Sequence, residues 1–268
     1  MHPRVSLSAI SSATWDLDQD LAFYGEADIT NVGISVAKLE RFGWEEGTRR
    51  IVDAGLRVTN LIGLGPFRLS EPDGWELQRE RIGRALDTAV AVDAECVVFT
   101  TGPADGLTWE DAANALETAM TTVLVEAQAR AVTFAIEHTN SLRVDVGFVH
   151  TLRDALDLAR RLDTGVCMEV NACWAERGLA DTIAGGIDRI RLVQVSDFAV
   201  GTLSTPNRLV PGDGDIPLER ILGQVLAAGY EGCFDLEIVG PRIEDEGYRS
   251  ACRRSMDRLT EMLDALGA

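Results

Sequence analysis

The chain has 268 residues, close to the roughly 250 of one (β/α)8 barrel, and no linker or low-complexity tract divides it, so residues 1–268 read as one domain. Its 25 Lys and Arg stand against 43 Asp and Glu, a net charge of −18 that disfavours a general nucleic-acid or anionic-membrane surface. Five cysteines without metal-finger spacing, and an N-terminus lacking a long apolar run after a basic start, predict reduced thiols in a cytoplasmic protein with no export signal or membrane span.

In chain order, strand-like runs fall near 4–10, 27–35, 56–64, 96–102, 132–140, 165–174, 190–198 and 233–240. Amphipathic stretches separate them, the longest at 75–92, 109–131 and 248–267. Eight strands alternating with helices is the pattern of a parallel α/β barrel, a single TIM barrel. An open doubly wound sheet is the competing architecture. It is disfavoured because no glycine-rich phosphate loop follows the first run.

After the first run comes Trp15, and after the sixth Trp174, each placed to wall a pocket or simply to pack in the core. Lys38, the only lysine in the chain, follows the second run, where a strand-to-helix loop would put a cation on the catalytic face. The last four runs end in polar residues: Glu137 in VTFAIEHTN, Glu169 in GVCMEVNACW, Gln194 in IRLVQVSDF and Glu237 in CFDLEIVG. Strand parity sets Cys233, Asp235 and Glu237 opposite Phe234, Leu236 and Ile238, and Cys167, Glu169 and Asn171 opposite Val166, Met168, Val170 and Ala172. The same parity groups Glu137 with Thr133 and Ala135, and Gln194 with Leu192 and Ser196.

A closed barrel gathers these four inward-facing ends at one mouth. Three carboxylates and an amide oxygen converging there make a divalent metal site, and oxygen-only ligation favours Mg²⁺ or Mn²⁺. His138 adjoins Glu137, although parity turns it the other way; packed histidine and substrate contact are both open readings. Asn171 shares the parity of Glu169. Arg208 and Arg242 follow the seventh and eighth runs, where either can clamp a substrate carboxylate or phosphate or make a surface salt bridge. The GDGD at 212–215 is a turn leading into a helix, with Asp215 as a candidate cap.

IEHTN around Glu137, CMEVNACW, LVQVSDF with Gln194 and Asp197, PGDGDIPLERIL, and AAGYEGCFDLEI ending at Glu237 together resemble the xylose isomerase-like barrel superfamily of sugar phosphate isomerases and epimerases. The later half carries the motifs; the first four strands match in layout. The resemblance implies a glutamate, aspartate, histidine, glutamate set holding Mn²⁺, Mg²⁺ or a similar ion. Here Glu169 stands where aspartate is usual, Gln194 where histidine is usual, and Ala172 where a histidine often follows the second ligand. Glutamine at the third position is similar to hydroxypyruvate isomerases and bacterial 3-dehydroshikimate dehydratases.

The implied chemistry is removal of a proton beside a metal-polarised carbonyl to give an enediolate, with Glu137 and Glu237 as acid/base as well as ligands; Lys38, from its position alone, is either a stabilising cation at the mouth or an incidental lysine. Reprotonation makes the protein an isomerase or epimerase of a sugar, keto-sugar or related polyhydroxy carbonyl compound. Loss of a β-hydroxyl makes it a dehydratase, and a non-catalytic ligand-binding or subunit barrel is the third reading. Endonuclease IV shares the barrel but needs a histidine-rich cluster, which three histidines do not supply. The expected partner is a small molecule, with neither nucleic acid nor membrane; homo-oligomerisation is left open.

Overall fold

The computed structural model describes all residues 1–268. Eight strands are present: β1 (Val5–Ser8), β2 (Asn31–Ser35), β3 (Arg57–Leu64), β4 (Val97–Thr100), β5 (Phe134–Glu137), β6 (Gly165–Glu169), β7 (Ile190–Val195) and β8 (Phe234–Leu236). Each pairs in parallel with its neighbours in sequence, and β8 pairs with β1, so the sheet closes as a (β/α)8 barrel. Eleven α-helices accompany them: α1 (Leu17–Glu26), α2 (Val36–Phe42), α3 (Trp44–Asp53), α4 (Trp75–Ala91), α5 (Trp109–Ala129), α6 (Leu152–Leu162), α7 (Val170–Cys173), α8 (Leu179–Gly186), α9 (Leu218–Ala227), α10 (Pro241–Glu246) and α11 (Tyr248–Leu266). The three long helices expected from periodicity, α4, α5 and α11, all form.

Because the helices cover the outside and side chains fill the inside, the strands are buried on both faces. Outward residues such as Val166, Met168, Val193, Phe234 and Leu236 pack with the helices. Inward, Ile62, Cys96, Val98, Ala135, Cys167 and Leu192 form a separate apolar plug. Ala135, Cys167 and Leu192 each precede a polar strand end by two positions, so the plug is the floor on which Glu137, Glu169 and Gln194 stand. On β8 the equivalent position is Asp235, buried beside Ser6, whose Oγ donates to Asp235 Oδ1 at 2.7 Å. Burial raises the Asp235 carboxyl to about 7.

Several strand readings ran too long. The run at 165–174 stops at Glu169, whose side-chain oxygen accepts the Asn171 N–H at 2.9 Å and turns the chain into the single helical turn α7. Alternation therefore ends there, and Asn171 and Ala172 belong to a helix. Lys38 likewise lies within α2, not on a loop, because Ser35 caps the helix directly after β2. Asp215 caps no helix: α9 starts after Pro217 without a side-chain cap, and Asp215 Oδ2 instead accepts the Val200 N–H at 2.8 Å. All five cysteines are unpaired and buried, and no helix is long and apolar enough to cross a membrane.

Candidate metal centre

Glu137 and Glu169 are the last residues of β5 and β6, Gln194 is the penultimate residue of β7, and Glu237 stands one residue beyond β8. Closure of the barrel brings a carboxylate oxygen from each of the three glutamates within 4.8 Å of the others. None is more than 9% exposed, and Gln194 is fully buried between Glu169 and Asp235 in strand register. Gln194 Nε2 donates to Glu237 Oε2. Arg208, from the loop after β7, donates through Nη1 to Glu237 Oε1 at 2.7 Å and to the Glu237 carbonyl at 2.9 Å. The same Nη1 lies 2.8 Å from Glu169 Oε2, close enough for an ion pair although Oε2 receives no aligned hydrogen bond.

Three carboxylates facing one guanidinium leave two negative charges in excess when all are ionised. Burial accordingly pushes Glu137 well above the usual carboxylate range, and the charges of Glu237 and Glu169 push it further. Burial also raises Glu169, to about 7, against the opposing pull of Arg208. Two buried oxygens, Glu169 Oε2 and Gln194 Oε1, have no hydrogen-bond partner. Such atoms are costly unless something else satisfies them. A cluster of oxygen donors with uncompensated negative charge and unpaired oxygens suits a divalent cation, and Glu137, Glu169 and Glu237, with Gln194 beside them, have the donor chemistry to hold one.

The other expected site residues divide. Arg208 is in the cluster. Asn171 is buried next to it, its N–H on Glu169 Oε1 and its Nδ2 toward the Asp197 carbonyl at 3.4 Å. His138 lies behind the cluster: Nε2 accepts the Glu169 N–H at 3.2 Å, which places the ring proton on Nδ1. Burial, with His150 nearby, lowers this imidazole to about 3, so His138 is a neutral prop for Glu169 rather than a substrate contact. Trp15 stacks edge-on against Phe23 and Tyr248 at 5.4 and 5.6 Å, and Trp174 is half-buried against the outer core. Arg242 is exposed on α10 and makes no ion pair.

The expectation that Lys38 offers a cation to the mouth is corrected. Its Nζ donates to Asp20 Oδ2 at 2.6 Å, to the Ser12 carbonyl at 2.9 Å and to Ser12 Oγ at 3.0 Å. An ammonium has three protons, and all three are used. Lys38 is only 3% exposed and leaves the list of catalytic candidates.

Asp197 matters for a reason the sequence did not signal. Its Oδ1 accepts the N–H groups of Phe198 and Ile216, and its Oδ2 those of Gly212 and Gly214, at 2.8 to 3.0 Å. The carboxylate thus pins the PGDGDIP turn against the strand end that leads to Arg208. A β-carbon on Gly214 would meet Asp197 Oδ1 at 2.4 Å, which explains the small residue. Asp197→Ala leaves four backbone donors without this acceptor, that of Ile216 buried and those of Phe198 and Gly214 half-buried, and is expected to cost on the order of 3 kcal/mol, read as a lowered midpoint in denaturant. An unchanged midpoint would show that the turn holds without it.

Residues 22–261 match the family described as the xylose isomerase-like TIM barrel. The chain belongs to that family. Among solved structures with the same fold, protein SMc04130 from Sinorhizobium meliloti 1021 superposes with a TM-score of 0.87 at 24% identity, covering 97% of this chain and 98% of that one. The IOLI protein, solved with a bound zinc atom, gives 0.83 at 14% identity over 98% and 99% of the two chains. The 3-keto-D-glucoside 4-epimerase YcjR from E. coli gives 0.71 at 18% identity over 97% and 99%. No curated protein sequence matches the chain.

Proposed function

We propose that the protein is a divalent-metal-dependent isomerase or epimerase of a sugar, keto-sugar or related hydroxy-carbonyl compound. The observation that carries this reading is the buried convergence of Glu137, Glu169 and Glu237 at the C-terminal mouth of the barrel, where catalytic groups of this fold sit. The family assignment, a zinc-bound relative and an epimerase among the structural neighbours support it. A divalent ion held by the three glutamates and Gln194 would supply Lewis-acid polarisation of a substrate carbonyl; Mn²⁺ and Mg²⁺ suit the all-oxygen donors.

The chain's own groups then divide the proton work. Glu137 and Glu237 come from β5 and β8, so they reach a substrate from different sides, one removing the proton next to the carbonyl and the other returning it. Burial, with the charges of Glu237 and Glu169, raises the Glu137 carboxyl in the metal-free protein. Arg208, already against Glu237, orients that carboxylate and can hold a substrate oxygen.

In D₂O, a ketose turned over by Mn²⁺-loaded protein should acquire deuterium at the carbon beside the carbonyl, detected by loss of its proton NMR signal. Product that forms without any solvent-derived label would mean a hydride shift and remove the acid/base roles from Glu137 and Glu237.

A further inference from the structure

Glu237 is the one candidate ligand outside its strand. The β1 and β8 ladder ends at the pair Leu7 and Leu236, so beyond that point β1 backbone no longer holds the chain on that side. On the β7 side the Glu237 N–H still reaches the Val195 carbonyl at 3.2 Å. On the β1 side a side chain takes over. Ser11, in the 3₁₀ turn Ala9–Ser12 after β1, donates its hydroxyl to the Leu236 carbonyl and accepts the Ile238 N–H, both at 3.0 Å. One fully buried hydroxyl thus brackets Glu237 from the residue before and the residue after.

That turn is itself anchored. Ser12 receives Lys38 Nζ on both its carbonyl and its hydroxyl, and its hydroxyl donates to Asp20 Oδ1 at 2.6 Å while Lys38 holds Asp20 Oδ2. Asp20 sits on α1 and Lys38 on α2, and all three side chains are buried. A buried ion pair is weak evidence for stability, because apolar residues of equal volume serve as well or better. What it supplies is a fixed direction, through hydrogen bonds that only one arrangement satisfies.

We infer that Ser11, locked by the Ser12, Lys38 and Asp20 triangle, is a positioning clamp that sets the backbone of Glu237 and thereby the metal centre. Its consequence for metal rests on the function proposed above; the clamp itself does not. Two readouts separate them. Hydrogen exchange at the Ile238 amide reports the clamp without metal, with β6 amides as the internal reference. Mn²⁺ affinity reports its effect on the site.

Ser11→Ala should speed Ile238 exchange at least about tenfold while β6 is unchanged, and weaken Mn²⁺ binding about tenfold, the loss typical of removing a residue that orients a ligand. Ser11→Thr, which keeps the hydroxyl, should restore both. The double variant Asp20→Asn with Lys38→Met removes both charges without stranding either, so it tests the anchor even where Ser11→Ala folds poorly. Unchanged Ile238 protection in Ser11→Ala would overturn the clamp, and unchanged protection in the double variant, which keeps the Ser11 hydroxyl, would overturn its locking by the triangle. Wild-type protein that takes up no Mn²⁺ while the variants still expose Ile238 would sink the metal reading and leave the clamp standing.

Discussion

Glu237→Gln protein should bind Mn²⁺ on the order of 100-fold more weakly than wild type or worse, since losing a residue that merely orients a ligand already costs about 10- to 100-fold. The substitution preserves volume and changes the chemistry. It removes one of three convergent carboxylates and one of the two that Arg208 Nη1 touches. Fewer like charges crowd the buried cluster, and the partner's loss to Arg208 is offset by Glu169, which stays 2.8 Å away. Metal-free Glu237→Gln should therefore melt no lower than metal-free wild type while failing to hold the ion. Isothermal titration with Mn²⁺ and parallel thermal melts measure both halves. Equal Mn²⁺ affinity in the two proteins would remove Glu237 from the ligand set, and absence of binding in both after loading would remove the centre.

The second large effect is on stability against pH. Glu137 and Glu169 have folded-state values above the 4.5 of an unperturbed glutamate, Glu169 at about 7, and in both burial is the leading cause. Asp235 is shifted the same way, to about 7. A carboxyl raised on folding contributes stability that is fully present below its unfolded value and is lost as pH rises through the folded value, because the unfolded chain then releases the proton more readily. Metal-free protein should accordingly melt roughly 5–10 °C lower at pH 8 than at pH 5, about 3 kcal/mol from Glu169 alone being enough for that shift. Saturating Mn²⁺ favours the ionised carboxylates and should shrink the difference. Glu169→Gln should flatten the metal-free profile in the same window. A wild-type profile that rises toward pH 8 without metal would mean that the cluster is already neutralised within the protein.

The apolar rhythm of eight runs and the amphipathic stretches between them determined the barrel, since period-two burial and helical periodicity are local properties of a chain. The same rhythm placed Glu137, Glu169, Gln194 and Glu237 on inward faces, and Ala135, Cys167 and Leu192 beneath three of them lie in the interior plug that this parity requires. The sequence also marked Arg208, through its place after the seventh strand. Tertiary structure alone decided the rest, because each case turns on contacts between residues far apart in the chain. Lys38 looked free until Asp20 and Ser12 were seen to take its three protons. Ser11 carries no signal as a serine in a serine-rich stretch, and it matters because the closing β1 and β8 seam brings it to Leu236 and Ile238. His138 and Arg242 stood as near to strand ends as the residues that count, yet one is sealed behind Glu169 and the other points to solvent. Strand parity and chain order say which side of the barrel wall a residue is on; which of its polar atoms remain free is set only when every neighbour has claimed its hydrogen bonds.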